Sequence, residues 1–205
     1  MNFRMKKGKL KIAITGGIGS GKSAFSNFIS AKNYTVINVD NVSKEILASD
    51  EEVRLKVKKE FGEESFKNGE INKKFLAEKI FSNPKNVIKI NSIIHPKVIK
   101  KVNILIAEKL KNSDIVFAEA ALIYEAEMEK YFDYVVLITA DISLRLKRKV
   151  QFDNFTEQQF LKRNDNQIPD EEKKKQADFI FENNGDLVDL KNKADLLLAI
   201  LKGLN

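Results

Sequence analysis

The sequence predicts an α/β, doubly wound fold built on a five-stranded parallel sheet. Three observations point there. Short runs of apolar, β-branched and aromatic residues recur without alternation, as strands covered on both faces require. Segments with apolar residues at helical spacing lie between those runs. A glycine-rich turn joins the first strand pattern to the first helical one.

The first strand is read at Lys11–Thr15, KIAIT. The leader MNFRMKKGKLKIAIT is basic and then apolar, but the apolar part is too short for a signal-peptide core and runs directly into the glycine turn. It is read as a basic lead-in to the strand. Lys22–Ala31 reads as a helix with Phe25, Phe28 and Ile29 on one side, and Thr35–Val39 as the second strand. From Asn41 to Asp114 only helical patterns occur, with one turn at Lys67-Asn68-Gly69. Ile94, Val98, Val102, Leu105 and Ile106 share a helical face there.

Ile115–Glu119 and Tyr134–Thr139 read as the third and fourth strands. Asp141–Gln176 is charged and helix-forming, with little apolar periodicity after Val150, and reads as a mobile cover. Asp178–Phe181 is the fifth strand, and Leu187–Leu201 closes the chain as a helix with Leu190, Ala194, Leu197 and Leu201 in one stripe. The expected layout is therefore a core of residues 8–40, 113–140 and 177–205, a helical insertion over 41–112 and a cover over 141–176.

Composition narrows the classes. The chain has 205 residues, 43% of them hydrophobic, enough for a sizeable core. It has no cysteine, which excludes disulfides, thiolate metal sites and a cysteine nucleophile and suits a reducing cytoplasm. No apolar run approaches the length of a membrane span. The net charge is +7, from 36 basic and 29 acidic residues, but the lysines are spread along the chain beside glutamates, as on solvated helix faces. No RNA-binding signature with interleaved aromatics accompanies them. The expectation is a cytoplasmic protein, a monomer or weak homo-oligomer, with small-molecule partners and neither nucleic acid nor membrane.

Gly16-Gly17-Ile18-Gly19-Ser20-Gly21-Lys22-Ser23 fits the phosphate-loop pattern G-x-x-x-x-G-K-[ST] in full. Glycines let the backbone approach a ligand, so that successive N–H groups converge on an anion. The helix beginning near Lys22 adds its positive end. Lys22 supplies a full charge toward the β- and γ-phosphates of ATP, and Ser23 offers a hydroxyl to Mg²⁺. Phosphate binding alone suits a switch GTPase, a motor ATPase or a small-molecule kinase. The N-K-x-D motif of GTPases is missing (Asn83-Pro84-Lys85 is not one), and the chain has the size of a kinase. Val36-Ile37-Asn38-Val39-Asp40 ends a strand in a carboxylate, at the edge of the sheet where α/β folds bind ligands. Asp40 reads either as a group facing an attacking hydroxyl or Mg²⁺, or as a helix N-cap.

The chain resembles the dephospho-CoA kinases from about Leu10 to about Leu187. The resemblance rests on five separated pieces: ITGGIGSGKS, VINVDNVSKEI, INSIIHPKV, EAALIYE and RNDNQIPDEEKKKQADFIFENNG. It implies a three-layer P-loop kinase fold with a helical substrate-binding insertion and a helical lid. The implied reaction is transfer of the ATP γ-phosphoryl to the ribose 3′-hydroxyl of dephospho-CoA, the last step of coenzyme A biosynthesis. Gly17, Ile18, Gly19, Ser20, Gly21, Lys22, Ser23 and Ala24 then cradle ATP, with Ser23 on Mg²⁺. Asp40 matches the catalytic aspartate on the 3′-hydroxyl, and His95 of a His-Pro pair is a substrate-side residue. Without the resemblance, His95-Pro96 would read as the start of a helix.

Arg148 matches a lid arginine that neutralises the transferred phosphoryl, and Arg163 lies in an R-x-x-x-Q segment ending at Gln167. Asn183 opens Asn183-Asn184-Gly185, read as the loop beside adenine or as a left-handed turn. Glu119 resembles a Walker-B acid near Mg²⁺. The sequence departs from the family at Ala24, Asn38 and Ala121, which are mild changes, and at Phe152, where a further lid arginine is common. An aromatic ring cannot neutralise phosphate charge, which leaves Lys147, Arg148 and Lys149 as the nearby cations. A nucleoside or nucleotide kinase of the same architecture, and a nucleotide-dependent scaffold, are the competing readings.

Overall fold

The computed structural model describes residues 8–204. The basic lead-in over residues 1–7 lies outside them. The described residues divide into two compact units, one of residues 8–38 and 105–204, the other of residues 39–104.

The first unit holds a five-stranded sheet of β1 (Leu10–Thr15), β2 (Thr35–Asn38), β5 (Ile115–Glu119), β6 (Tyr134–Thr139) and β7 (Phe179–Glu182). Its order is β2-β5-β1-β6-β7, and every pairing is parallel. β5 is buried along its whole length, and β1 and β6 nearly so, which explains why their sequences are apolar runs rather than alternations. One face of the sheet, through Leu10, Ile12, Ile14, Ile115, Phe117, Val136 and Ile138, packs on α1 (Lys22–Ser30) and α9 (Leu187–Leu204). Phe25 and Ile29 come from α1, and Leu190, Ala194, Leu197 and Leu201 from α9, in the stripe the spacing predicts. Phe25 also meets Phe181, with ring centroids 5.5 Å apart.

Four strand limits differ from expectation by one residue: β1 begins earlier, at Leu10, β7 both begins and ends later, at Phe179 and Glu182, and β2 ends earlier. β2 stops at Asn38, because Val39 already begins α2 (Val39–Ser49). β7 starts one residue later than read. Asp178 precedes it, and its carboxylate accepts from the Val135 N–H at 2.8 Å while its own N–H donates to the Val135 carbonyl.

The segment after β6 folds as α6 (Ile142–Asp153), α7 (Glu157–Asn164) and α8 (Asp170–Lys174). α7 carries a capping box, with the Gln159 N–H donating to Thr156 Oγ1 and the Thr156 N–H to Gln159 Oε1. The weak apolar pattern there conceals real anchors: Phe160, Arg145 and Lys173 are all buried. Lys173 Nζ lies 2.8 Å from Glu125 Oε1, in an ion pair too poorly angled to count as a hydrogen bond. The Ile168 N–H also donates to that oxygen at 2.8 Å.

The second unit contains α2, α3 (Glu51–Phe61), α4 (Lys73–Phe81) and most of α5 (Pro84–Lys109), with a short antiparallel hairpin of β3 (Phe66–Lys67) and β4 (Glu70–Ile71). The sequence reading had only a turn here. Asn68 and Gly69 both adopt positive φ, which a two-residue hairpin loop of this kind demands. Asp50 caps α3 by accepting from the Val53 N–H, and Asn72 caps α4 by accepting from the Phe75 N–H. Lys97 on α5 pairs with Asp50 at 3.3 Å and Glu52 at 2.6 Å, tying α5 to the start of α3.

Candidate active site

The parallel register sets the floor of the site. Ile14 on β1, Glu119 on β5 and Asn38 on β2 stand at one level. The carboxyl ends of these strands therefore meet where the glycine loop leaves β1. Glu119, at the end of a fully buried strand, is 5% exposed. Its two oxygens face the neighbours the register brings: Ser23 Oγ donates to Oε1 at 2.6 Å, and Asn38 Nδ2 donates to Oε2 at 3.4 Å. A hydroxyl beside a carboxylate is a hard-oxygen pair of the kind Mg²⁺ uses when phosphates and water supply its remaining ligands. The residues present therefore fit that ion. No larger group of metal-ligating side chains occurs among the described residues.

Above this floor the loop is held from three sides. The Ser20 N–H closes a tight turn on the Gly17 carbonyl at 3.1 Å, and the first bond of α1 runs from the Phe25 N–H to the Gly21 carbonyl. The N–H groups of Lys22 to Ala24 precede that bond and form the positive end of the helix. Gly21 has φ 94°, and a Cβ there would strike Asn183 Nδ2. Asn183 is 4% exposed and donates from Nδ2 to the Ser20 carbonyl at 2.8 Å. Its own N–H bonds the Thr139 carbonyl at 2.7 Å, so the end of β6 fixes the residue that fixes the loop. Neither Asn183, Asn184 nor Gly185 takes a positive φ, so the left-handed-turn reading of this segment does not hold.

The third hold is on Ile18. Its N–H donates to Gln167 Oε1 at 2.8 Å, and its carbonyl accepts from Arg145 Nε at 2.9 Å. Arg145 is 5% exposed. Its Nη1 donates to Asp170 at 2.9 Å and its Nη2 to Asn164, so all three guanidinium nitrogens are engaged. A Cβ on Gly17 would lie 2.7 Å from this guanidinium, which is why that position has no side chain. Nothing in the local sequence separates Arg145 from the other cations of α6, and the sequence reading missed it. Its partners lie 19 and 25 residues further on, at Asn164 and Asp170.

A cavity of about 630 Å³ opens over the loop. Gly19, Gly21, Lys22, Ser23 and Ala24 line it from the loop and α1, Arg148, Lys149, Phe152 and Asp153 from α6, and Asn183, Gly185, Asp186 and Leu187 from the start of α9 and the turn before it. Its volume suits a nucleotide. Arg148 Nη2 donates to the Asn183 carbonyl at 2.9 Å, while Nη1 is buried with no hydrogen-bond partner. Burial lowers the Arg148 pKa, yet a guanidinium stays charged at neutral pH. Lys22, Arg148 and Lys149 thus bring three cations to one cavity beside the glycine loop, Lys149 paired with Asp153 at 3.0 Å. Arg163 lies elsewhere, on the exposed face of α7 with its guanidinium 4.6 Å from the Phe155 ring centre.

Asp40 and His95 belong to the second unit. Asp40 is exposed in the first turn of α2, two residues past the end of β2. His95 is half-buried inside α5, and Pro96 is an interior proline of that helix rather than its first residue. The helix-start reading of His95-Pro96 is therefore corrected.

The family model described as dephospho-CoA kinase matches residues 10–189. A dephospho-CoA kinase of Bacteroides fragilis is 35% identical over 177 residues, covering 86% of each chain. Among solved structures, a dephospho-CoA kinase from Campylobacter jejuni superposes with a TM-score of 0.68 at 28% identity, covering 94% of this chain and 98% of that one. A crystal structure from Thermus thermophilus superposes with a TM-score of 0.80 at 28% identity, covering 95% and 99%. The loop, the strand-end carboxylate and the cavity all lie within the matched span, and the chain belongs to the dephospho-CoA kinase family.

Proposed function

We propose that the protein transfers the γ-phosphoryl group of ATP to the ribose 3′-hydroxyl of dephospho-CoA, giving CoA and ADP. The observation that carries this reading is the family match over residues 10–189. The 3′-oxygen attacks the γ-phosphorus in line, the bond to the bridging β,γ-oxygen breaks, and ADP leaves with that electron pair. The hydroxyl proton passes to Asp40 or through it to solvent. Asp40 accepts the hydroxyl hydrogen bond, aims the oxygen at the γ-phosphorus and takes up its proton.

The backbone of Gly17 to Ala24 binds the phosphates. Lys22 and Arg148 oppose the charge that spreads over the γ-phosphoryl oxygens, where preorganised cations contribute several kcal/mol. Ser23 and Glu119 are the residues that would hold Mg²⁺, which would supply positive charge against the phosphates. Asn183 keeps the loop in its binding shape and borders the nucleoside, and His95 serves the acceptor substrate from α5.

Release of ADP from ATP should be followed over a panel of acceptors: dephospho-CoA, nucleosides and nucleoside monophosphates. ADP formation is expected with dephospho-CoA alone. Turnover with a nucleoside or nucleotide in its place would replace the proposed acceptor.

A further inference from the structure

We infer that Asn38 is a positioning residue for the divalent-ion site: it fixes the Glu119 carboxylate so that the Ser23 hydroxyl turns its lone pairs toward the ion. The inference rests on the reading of Ser23 and Glu119 as the residues that would hold Mg²⁺. Three side chains form one line of hydrogen bonds across the floor of the site. Ser23 Oγ donates to Glu119 Oε1 at 2.6 Å, and Asn38 Nδ2 donates to Glu119 Oε2 at 3.4 Å. They come from the first turn of α1 and the last residues of β5 and β2. The parallel register pairs Asn38 with Glu119 directly.

A serine hydroxyl has one hydrogen and two lone pairs. The hydrogen is committed to Glu119, so the lone pairs are what the hydroxyl offers to a cation. That direction holds only while the carboxylate keeps still. The last torsion of a glutamate is soft, and a carboxylate gripped at one oxygen turns about it. A grip on the second oxygen stops the turn, and Asn38 supplies it. At 3.4 Å the bond is long, so it orients the carboxylate more than it stabilises it.

The chemistry of the amide suits this task. A carboxylate accepts, so the amide presents its nitrogen to it. The donor is neutral and leaves the negative charge of Glu119 for the ion. A lysine at this position would cancel that charge, and an aspartate would set acceptors against acceptors. Glu119 is buried, so water does not readily take over the grip.

The test counts bound Mn²⁺, a hard-oxygen ion like Mg²⁺, by electron paramagnetic resonance on the protein–ADP complex. Calorimetry beside it measures ADP affinity in EDTA, with no ion present. Asn38→Leu removes the donor and keeps the bulk. It should weaken Mn²⁺ about tenfold, the low end for losing a side chain that orients a metal ligand, and leave metal-free ADP within about twofold. Asn38→Ala adds no bulk and should move both readings in the same sense. Unchanged Mn²⁺ affinity in both variants would overturn the inference. So would equal losses of Mn²⁺ and of metal-free ADP, which a general loosening of the fold produces. Glu119→Gln should weaken Mn²⁺ further than either variant. If it bound Mn²⁺ like the wild-type protein, the ion would not sit at that carboxylate and the inference would fall with that reading. Loss in Glu119→Gln without loss at Asn38 would overturn the inference alone. If the wild-type protein made no CoA while Mn²⁺ binding still depended on Asn38, the proposed reaction would fall and the positioning role would stand.

Discussion

Replacing Arg145 with alanine should destabilise the protein by about 3 kcal/mol and weaken its hold on ATP. The magnitude follows from what the side chain joins. Arg145 is 5% exposed and donates to the Ile18 carbonyl, Asp170 and Asn164. Removing one partner of a buried ion pair costs about 3–5 kcal/mol, because the other charge is left in a poor solvent. The Asp170 side chain is 16% exposed and regains some water, which places the cost at the low end. For a chain of this size about 3 kcal/mol corresponds to a fall in Tm of about 6–12 °C.

The phosphate loop should feel the loss directly, since Ile18 would keep the Gln167 contact and lose the one on its carbonyl. ATP KM should therefore rise. Arg145→Lys retains the charge, but a single ammonium cannot reach three separated acceptors, so it should recover only a minor part of either effect. Scanning calorimetry and steady-state kinetics on both variants make the test. A Tm change below about 2 °C with unchanged ATP KM in Arg145→Ala would refute the claim that this residue braces the loop.

Asp40→Asn should lower kcat by about 10²–10⁴ while leaving ATP binding nearly intact, as read by turnover and calorimetry on the same preparation. Gly21→Ala combines a positive φ of 94° with a Cβ that strikes Asn183, so it should cost about 1–3 kcal/mol in thermal unfolding and reduce nucleotide affinity. Lys173→Ala leaves the Glu125 carboxylate without its ion-pair partner and should lower stability by about 3 kcal/mol. The double variant Lys173→Met, Glu125→Leu should recover only part of it in chemical denaturation, since the Ile168 N–H loses its acceptor on Glu125. In the second unit, the Lys56 and then the Lys97 ammonium lower the Glu52 pKa from 4.5 to about 2. The folded value lies below the unfolded one, so the pairing contributes above about pH 4.5 and is lost as pH falls toward 2. Glu52→Gln should flatten that acid limb slightly, and the difference should shrink in about 1 M salt because the group is exposed.

The sheet was legible because buried parallel strands leave unmistakable apolar runs. Ile115–Glu119 and Tyr134–Thr139 match the observed strands residue for residue. The phosphate loop was legible because its glycines answer a backbone requirement that can be read locally. The hairpin at Asn68-Gly69 was read only as a turn, since two-residue strands are too short to show a period. Asp178 lies next to β7 in sequence, and its bonds to Val135 on the neighbouring strand leave no local mark that separates it from the strand.

The hold on the loop was the least legible part. Arg145, Gln167 and Asn183 reach Ile18 and Ser20 across 127, 149 and 163 residues of sequence. No local pattern encodes such partners. The anchors of the segment after β6 were equally hidden. Its low count of apolar residues gives no sign that Arg145 and Lys173 are buried there through specific acidic partners. A buried arginine and an exposed one look alike until the fold supplies their neighbours.

The most direct test of the account is to incubate the protein with Mg-ATP and dephospho-CoA and follow CoA by mass spectrometry, with NMR locating the new phosphate and Lys22→Ala as the control. The account predicts one CoA per ADP, phosphorylated at the ribose 3′-position, from the wild-type protein and almost none from the variant. ATP bound without CoA formed, a phosphate at another position, or equal CoA from Lys22→Ala would contradict it.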